Sequence, residues 1–353
     1  MEIIKDFGMW LSRKINYPLV SPDNIQISLT YRCNLNCSMC EIHKHGTKKF
    51  EPTKKDLMNI IKQAKDFGIK EILFTGGEPF LRKDIFDIIK NCSDNNIRTI
   101  VTTNGTLISN NDIKKIFESK LSHVHISIDG LNKTHDLIRG KNSFKKATNL
   151  IAKIQKLRIK NDFSPSIGIA CTIMNENVHE LFSLTKFAER MGVDVINFQP
   201  LANNNMNFND KSISKFWVKD ENLKILDQEI EKIDLYRGKI NIYKNPDLNL
   251  IKKYYRQKNQ TGHLKSWKCF AGFKTIFIPI INNQKKISFF ICDKPIGTID
   301  DELKNSWYSK KAKKARKEIK QCKHTCLQAC FSKPELESIK NIFTKYCKLY
   351  LKK

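Results

Sequence analysis

Between Asn24 and Pro200 the chain repeats one rhythm, a short apolar run and then an amphipathic stretch, at intervals of about 25 to 45 residues. No other feature limits the possible folds so strongly. The runs are NIQISLT (24–30), EILFTG (71–76), RTIVTT (98–103), HVHISID (123–129), SIGIACTI (166–173) and DVINFQP (194–200). Their β-branched, apolar character predicts strands of a parallel sheet buried on both faces. Between the first two, residues 54–67 set Leu57, Ile60, Ile61, Ala64 and Phe67 on one helical face, and Gly68 supplies the stop. Six such units predict an α/β fold, a partial (β/α)6 TIM-like barrel, with chemistry in the loops at the carboxyl ends of the strands.

After Pro200 the rhythm breaks. LANNNMNFNDKS reads as loop, and residues 213–265 as polar and helical, before a second cysteine-bearing region begins. The expected organisation is an N-terminal extension (1–23), the barrel core (24–200), a helical connecting region (201–265) and a cysteine-rich auxiliary domain (266–353).

The 353 residues suffice for a large domain with an appendage. The N-terminal stretch has an amphipathic pattern broken by charges, not a secretory signal, and no run approaches the roughly 20 apolar residues that span a bilayer. The expected compartment is a reducing cytoplasm. There the eleven cysteines would bind metal rather than build a disulfide framework. Cys92 and Cys171 stand alone and read as core residues, as does Cys347 in its helical setting. Lys plus Arg number 63 against 36 acids, a net charge of +27, which would attract nucleic acid, an anionic membrane or an acidic substrate. The lysines are scattered over many helix faces, as in a compositionally biased proteome. Only Ser309 to His324 is dense enough to form a basic patch, or else a solvated helix face.

Chemistry is concentrated after the first strand, where YRCNLNCSMC places Cys33, Cys37 and Cys40 with gaps of three residues and then two. Iron–sulfur clusters are commonly held by four thiolates, so three would leave one iron open to a small molecule. Catalytic zinc follows the same logic, and a zinc site completed by His43 or His45 is the alternative. GGEP follows the second strand. Its glycines Gly76 and Gly77 permit close backbone approach, and Glu78 offers a carboxylate to a ligand ammonium. TNG (103–105) ends the third strand and SIDG (127–130) the fourth, so four signals meet on one rim.

The order and distances of CNLNCSMC, GGEP, TNGTLI and SIDGLNKTHDLIRG resemble the radical S-adenosylmethionine enzymes over roughly residues 22–200. The resemblance implies a [4Fe-4S] cluster on Cys33, Cys37 and Cys40 whose unique iron binds the amino and carboxylate groups of S-adenosylmethionine. It implies that Gly76, Gly77 and Glu78 meet the methionyl amine, that Asn104 and Ser127 contact ribose or carboxylate, and that Arg139 meets the carboxylate. Asp129 is either a further cofactor contact or half of an ordinary Asp-Gly turn. Met39 stands where the family often has an aromatic residue; a thioether also packs against a ring. An external electron donor such as flavodoxin or ferredoxin is implied.

Cys269, Cys292, Cys322, Cys326 and Cys330 form a second group. It is similar to a shortened SPASM or Twitch extension, which implies one auxiliary [4Fe-4S] cluster on Cys269, Cys292, Cys330 and either Cys326 or Cys322. Structural zinc with His324 or His263 is the alternative.

The functional expectation is an oxygen-sensitive enzyme that cleaves S-adenosylmethionine reductively and abstracts hydrogen from a peptide or small molecule, in oxidation, epimerisation or cross-linking chemistry. About 23 residues precede the first strand, leaving no room for a leader-binding or cobalamin domain. Nucleic acid is a lesser alternative, since no basic module interleaved with aromatics occurs. A non-catalytic iron–sulfur or zinc scaffold is another, although it would have no need of amine and carboxylate pockets.

Overall fold

The computed structural model describes residues 2–40, 42, 50–201, 215–257, 264, 267–280, 286–323, 326 and 327. Strands β1 (Asn24–Thr30), β2 (Glu71–Gly76), β3 (Arg98–Thr103), β4 (His123–Ser127), β5 (Ser166–Ile173), β6 (Val195–Pro200), β7 (Asn241–Tyr243), β8 (Thr275–Ile278), β9 (Ser288–Ile291) and β10 (Lys294–Thr298) join in one sheet, ordered β10-β9-β8-β1-β2-β3-β4-β5-β6-β7. From β8 through β1 to β7 every pairing is parallel; β9 and β10 extend the far edge antiparallel.

The helices are α1 (Glu2–Ile15), α2 (Lys54–Asp66), α3 (Ile85–Asp94), α4 (Asn110–Glu118), α5 (Asn132–Arg139), α6 (Ser143–Arg158), α7 (Leu181–Arg190), α8 (Leu223–Leu235), α9 (Leu248–Tyr255), α10 (Ala271–Lys274), α11 (Leu303–Tyr308) and α12 (Lys310–Gln321). α2 starts where Thr53 and Asp56 form a capping box, and α4 where Ser109 and Asp112 repeat it. Each pair satisfies N–H groups that a helix end leaves orphaned. The buried stripe of α2 (Leu57, Ile60, Ile61, Ala64) joins Ile27, Phe74 and Val101 in the main core. Each such isoleucine contributes about 1.5–3 kcal/mol by leaving water.

Three sequence expectations need correction. β1 to β3 are not buried on both faces: Ile25, Ile27 and Leu29 are buried, while Asn24, Gln26 and Ser28 between them are only half-buried. One face packs on helices and the other turns to the interior of a partial barrel. Residues 213–265 are not all helical, since β7 extends the sheet beside β6. β4 stops at Ser127, two residues early, because Asp129 leaves the ladder to meet side chains. The 202–214 loop lies outside the described residues.

The sheet also does not end at the barrel core. β8 pairs with β1, and α1 reaches the same region, with Met9 packed on Phe270 and Phe273. Cys92 and Cys171 are buried core residues, as expected. Among the described residues no helix is long and apolar enough to cross a membrane.

Candidate active site

The cysteine loop leaves β1 already pinned. Gly77 N donates to Thr30 O (2.6 Å) and Glu78 N to Arg32 O (2.8 Å). A Cβ on Gly77 would fall 2.2 Å from Arg32 O, and one on Gly76 2.2 Å from Thr30 O. Gly76 also has a φ of 127°, so the two glycines are what allow the β2 loop to lie against the cysteine loop.

Glu78 is fully buried. Its carboxylate accepts from Phe80 N (3.1 Å), Thr103 Oγ1 (2.8 Å) and Asn104 N (2.8 Å), tying the loops after β2 and β3 together. Burial pushes the Glu78 carboxyl above its ordinary value despite these hydrogen bonds.

Asn104 carries the bracing to the thiols. Its Nδ2 donates to Asn34 Oδ1 (2.9 Å) and lies 3.9 Å from Cys33 Sγ, while its Oδ1 accepts from Thr106 N and Oγ1. Asn34 Nδ2 returns a hydrogen bond to Thr106 Oγ1 (2.8 Å). On the other flank Ser38 N donates to Ile138 O (2.8 Å), and Arg139 Nη1 lies 4.0 Å from Cys37 Sγ.

Arg139 Nε donates to Asp129 Oδ2 at 2.5 Å, and the other oxygen of Asp129 accepts from Thr172 N (2.8 Å). Asp129 is therefore no ordinary turn residue but the buried anchor of this arginine. Burial opposes the charge of Arg139, yet Asp129 and the Cys37 thiol outweigh it and hold the guanidinium above its ordinary pKa. Ser127, buried, ends β4 in register with Ala170 of β5.

Cys33, Cys37 and Cys40 lie in one electrostatic neighbourhood. Burial first, then the neighbouring thiols, push Cys37 up to about 11 against the pull of Arg139. Among the described residues no three His, Cys, Asp or Glu side chains converge on a single metal ion, and His43 and His45 lie outside them. Three thiols on one loop are a donor set that a [4Fe-4S] cluster with one open iron can use.

The second thiol group draws on separate elements. Cys269 Sγ accepts from Ala271 N (3.5 Å), and its carbonyl accepts from Arg13 Nε of α1 (2.9 Å). Cys292 occupies the tight turn between β9 and β10 with a φ of 57°, a conformation costly for any residue but glycine or asparagine. Cys322 caps the C-terminus of α12 and is exposed. Burial, with coupling among these three thiols, pushes Cys269 up to about 11 and Cys292 up to about 12. Cys326, half-buried, packs against the main core. Cys330, Cys347, His263 and His324 lie outside the described residues.

Sequence reasoning missed Asn34, Thr106 and Arg13. Asn34 and Thr106 sat inside the motifs, where their polarity was the available signal. Arg13 lies 256 positions from Cys269, and no local pattern reports such a contact.

Comparison with known proteins bears on the same segment. Residues 27–188 match the Radical SAM superfamily. That match covers just under half of the chain, which over this segment is similar to members of the superfamily. Its members use a [4Fe-4S] cluster and S-adenosylmethionine. The Fe-coproporphyrin III synthase of Methanosarcina barkeri is 32% identical over 177 residues, 50% of this chain and 43% of that protein. A probable GTP 3',8-cyclase of Methanocaldococcus jannaschii is 32% identical over 181 residues, 50% of this chain and 59% of that protein. The chain thus spans about half the length of these curated relatives. In fold it is similar to Streptococcus suis SuiB bound to precursor peptide SuiA (TM-score 0.63, 17% identity, 86% of this chain and 68% of that one). It is also similar to anSMEcpe with bound AdoMet (TM-score 0.58, 19% identity, 86% of this chain and 84% of that one). Both likenesses cover too much of the chain to stop at residue 188, and at these identities they speak to fold.

Proposed function

We propose that this protein is a radical SAM enzyme that takes a hydrogen atom from a peptide or small-molecule substrate in a reducing cytoplasm. Residues 24–200 form its catalytic core, with residues 1–23 as an extension, 201–265 as a connecting region and 266–353 as an auxiliary-cluster region. The observation that carries the reading is the cysteine loop itself: three thiols on one braced segment, with N–H groups of Asn104 and Arg139 turned toward two of them. When bound and reduced, a [4Fe-4S] cluster supplies the electron that splits S-adenosylmethionine into methionine and a 5'-deoxyadenosyl radical.

The chain's own residues would hold and orient. Cys33, Cys37 and Cys40 ligate the cluster. The Gly76–Glu78 backbone fixes the rim against which the methionyl amine lies. Asn104 and Ser127 offer hydrogen bonds to hydroxyl or carboxylate groups. Arg139, oriented by Asp129, presents its remaining N–H groups beside Cys37, where a carboxylate would be paired. The half-buried faces of β1 to β3 would be turned toward substrate in the barrel interior. A peptide substrate agrees with the likeness to peptide-bound SuiB, and a small one with the two curated relatives. Cys269, Cys292 and Cys330, with either Cys326 or Cys322, would hold an auxiliary cluster.

Anaerobic reconstitution, with iron and sulfide counted per chain and 5'-deoxyadenosine measured under dithionite, tests this. Two clusters predict about eight irons, and Cys37→Ala should remove about four of them together with all cofactor cleavage. Zinc in place of iron, or iron without cleavage, would sink the reading.

A further inference from the structure

The exposed face of α12 runs against the electrostatics of its own helix. Lys310, Lys311, Lys313, Lys314, Lys317 and Lys320 are all exposed. The first turn contains no acid, so lysines occupy the helix end that favours negative charge. Lys310 with Lys314 and Lys313 with Lys317 repel at i and i+4. The helix's one acidic residue, Glu318, pairs outside it with Lys294 (3.6 Å). Among the described residues none of the six ammonium groups is within salt-bridge reach of a carboxylate, and Lys320 instead donates to the backbone carbonyl of Lys14 on α1 (3.2 Å).

The other face of α12 is fixed with equal definition. Ala312, Ala315, Arg316 and Ile319 are buried. Arg316 donates to Gly272 O (2.7 Å) and Trp307 O (2.7 Å), with its guanidinium 4.4 Å from the Trp307 ring centroid. That arginine locks the helix to the segment after Cys269, and the helix ends in Cys322, exposed. The lysine face and an exposed thiol of the second group thus share one helix, the thiol at its C-terminal cap.

We propose that this face docks a small acidic one-electron carrier protein, which is oxidised by one electron at each encounter and so supplies the electron that cofactor cleavage consumes. The proposal rests on the radical SAM reading. Charge complementarity selects the partner: an acidic surface removes the repulsion that α12 otherwise carries and speeds encounter. Structured or single-stranded RNA would answer the charge alone. α12 itself has no aromatic residue on which bases could stack, the exposed rings beside its start, Tyr308 and Tyr17, are packed on each other, and a nucleic acid makes no use of a thiol group at the helix end.

The test compares two variants of equal net charge in the reconstituted full-length protein. One carries Lys310→Glu, Lys313→Glu and Lys317→Glu on α12; the control carries Lys146→Glu, Lys153→Glu and Lys156→Glu on α6. Association with an acidic flavodoxin is followed at several salt concentrations, and 5'-deoxyadenosine formation is followed with that flavodoxin and separately with dithionite. The α12 variant should associate about tenfold more slowly or worse, with a flatter salt dependence, while the control keeps wild-type binding. Dithionite-driven cleavage should be equal in all three proteins. Equal weakening in both variants, no flavodoxin binding by the wild type, or an α12 defect confined to binding of a tRNA probe would each overturn the proposal. Absence of dithionite-driven cleavage in the wild type would fail the radical reading instead, and the binding comparison reports on the surface independently.

Discussion

The two thiol groups are built in opposite ways. Cys33, Cys37 and Cys40 share one loop, pinned from the loops after β2 and β3 and from α5. Cys269, Cys292 and Cys322 come from a loop, a strained hairpin turn and a helix end. The first group is preorganised by hydrogen bonds; the second is assembled by tertiary packing. Preorganisation lowers the cost of adopting the bound geometry. Assembly instead couples metal binding to the folding of three elements.

The sharpest way to break that contrast is to remove its anchor. Asp129→Ala leaves Arg139 charged, only 12% exposed and without its carboxylate, and should destabilise the metal-free chain by about 3–5 kcal/mol. Cys269→Ala should cost the metal-free chain much less. Anaerobic urea unfolding measures both, and equal losses would erase the distinction.

A second test uses pH. Burial foremost pushes His123 down to about 3 and His125 and His135 down to about 4, below the ordinary 6.5. The unfolded chain therefore takes up protons first as pH falls. The stability these neutral imidazoles allow is full above about pH 6.5 and is lost toward pH 4, by up to about 1.4 kcal/mol per pH unit for each. All three lie in the first region; among the described residues the second has no histidine. His125→Gln should flatten the fall in unfolding free energy between pH 7 and 5, and an unchanged slope would remove the assignment.

The smallest effect has the opposite sign. Cys292→Gly relieves a left-handed backbone at φ 57° and should stabilise the metal-free chain by about 1 kcal/mol, while iron retained in the second group falls. If that substitution destabilised the chain, the turn would not be strained for the thiol's sake.

Legibility in the sequence follows the same divide. β1, β2, β3 and β5 match their predicted bounds because each is a β-branched run closed by glycine or polar residues. The braced cysteine loop was visible because its motifs recur strand after strand. β7 and β8 were not, since NIY and TIFI are too short to show a period and gain their place only by pairing with β6 and β1. Asp129 was ambiguous because Asp-Gly is an ordinary turn pair; only the fold carries Arg139, ten residues on, back to meet it.

The bond from Arg13 to the Cys269 carbonyl spans 256 positions, and on a ribosome that separation becomes time. At about 5–20 residues per second, roughly 13 to 50 seconds pass between the emergence of the two partners. The first thiol loop and the braces from Glu78, Asn104 and Arg139 are all synthesised by residue 139, whereas the second group waits for Cys322. On the proposed two-cluster reading, the second group would become complete only after α1 has found its partner, long after the first loop has left the ribosome.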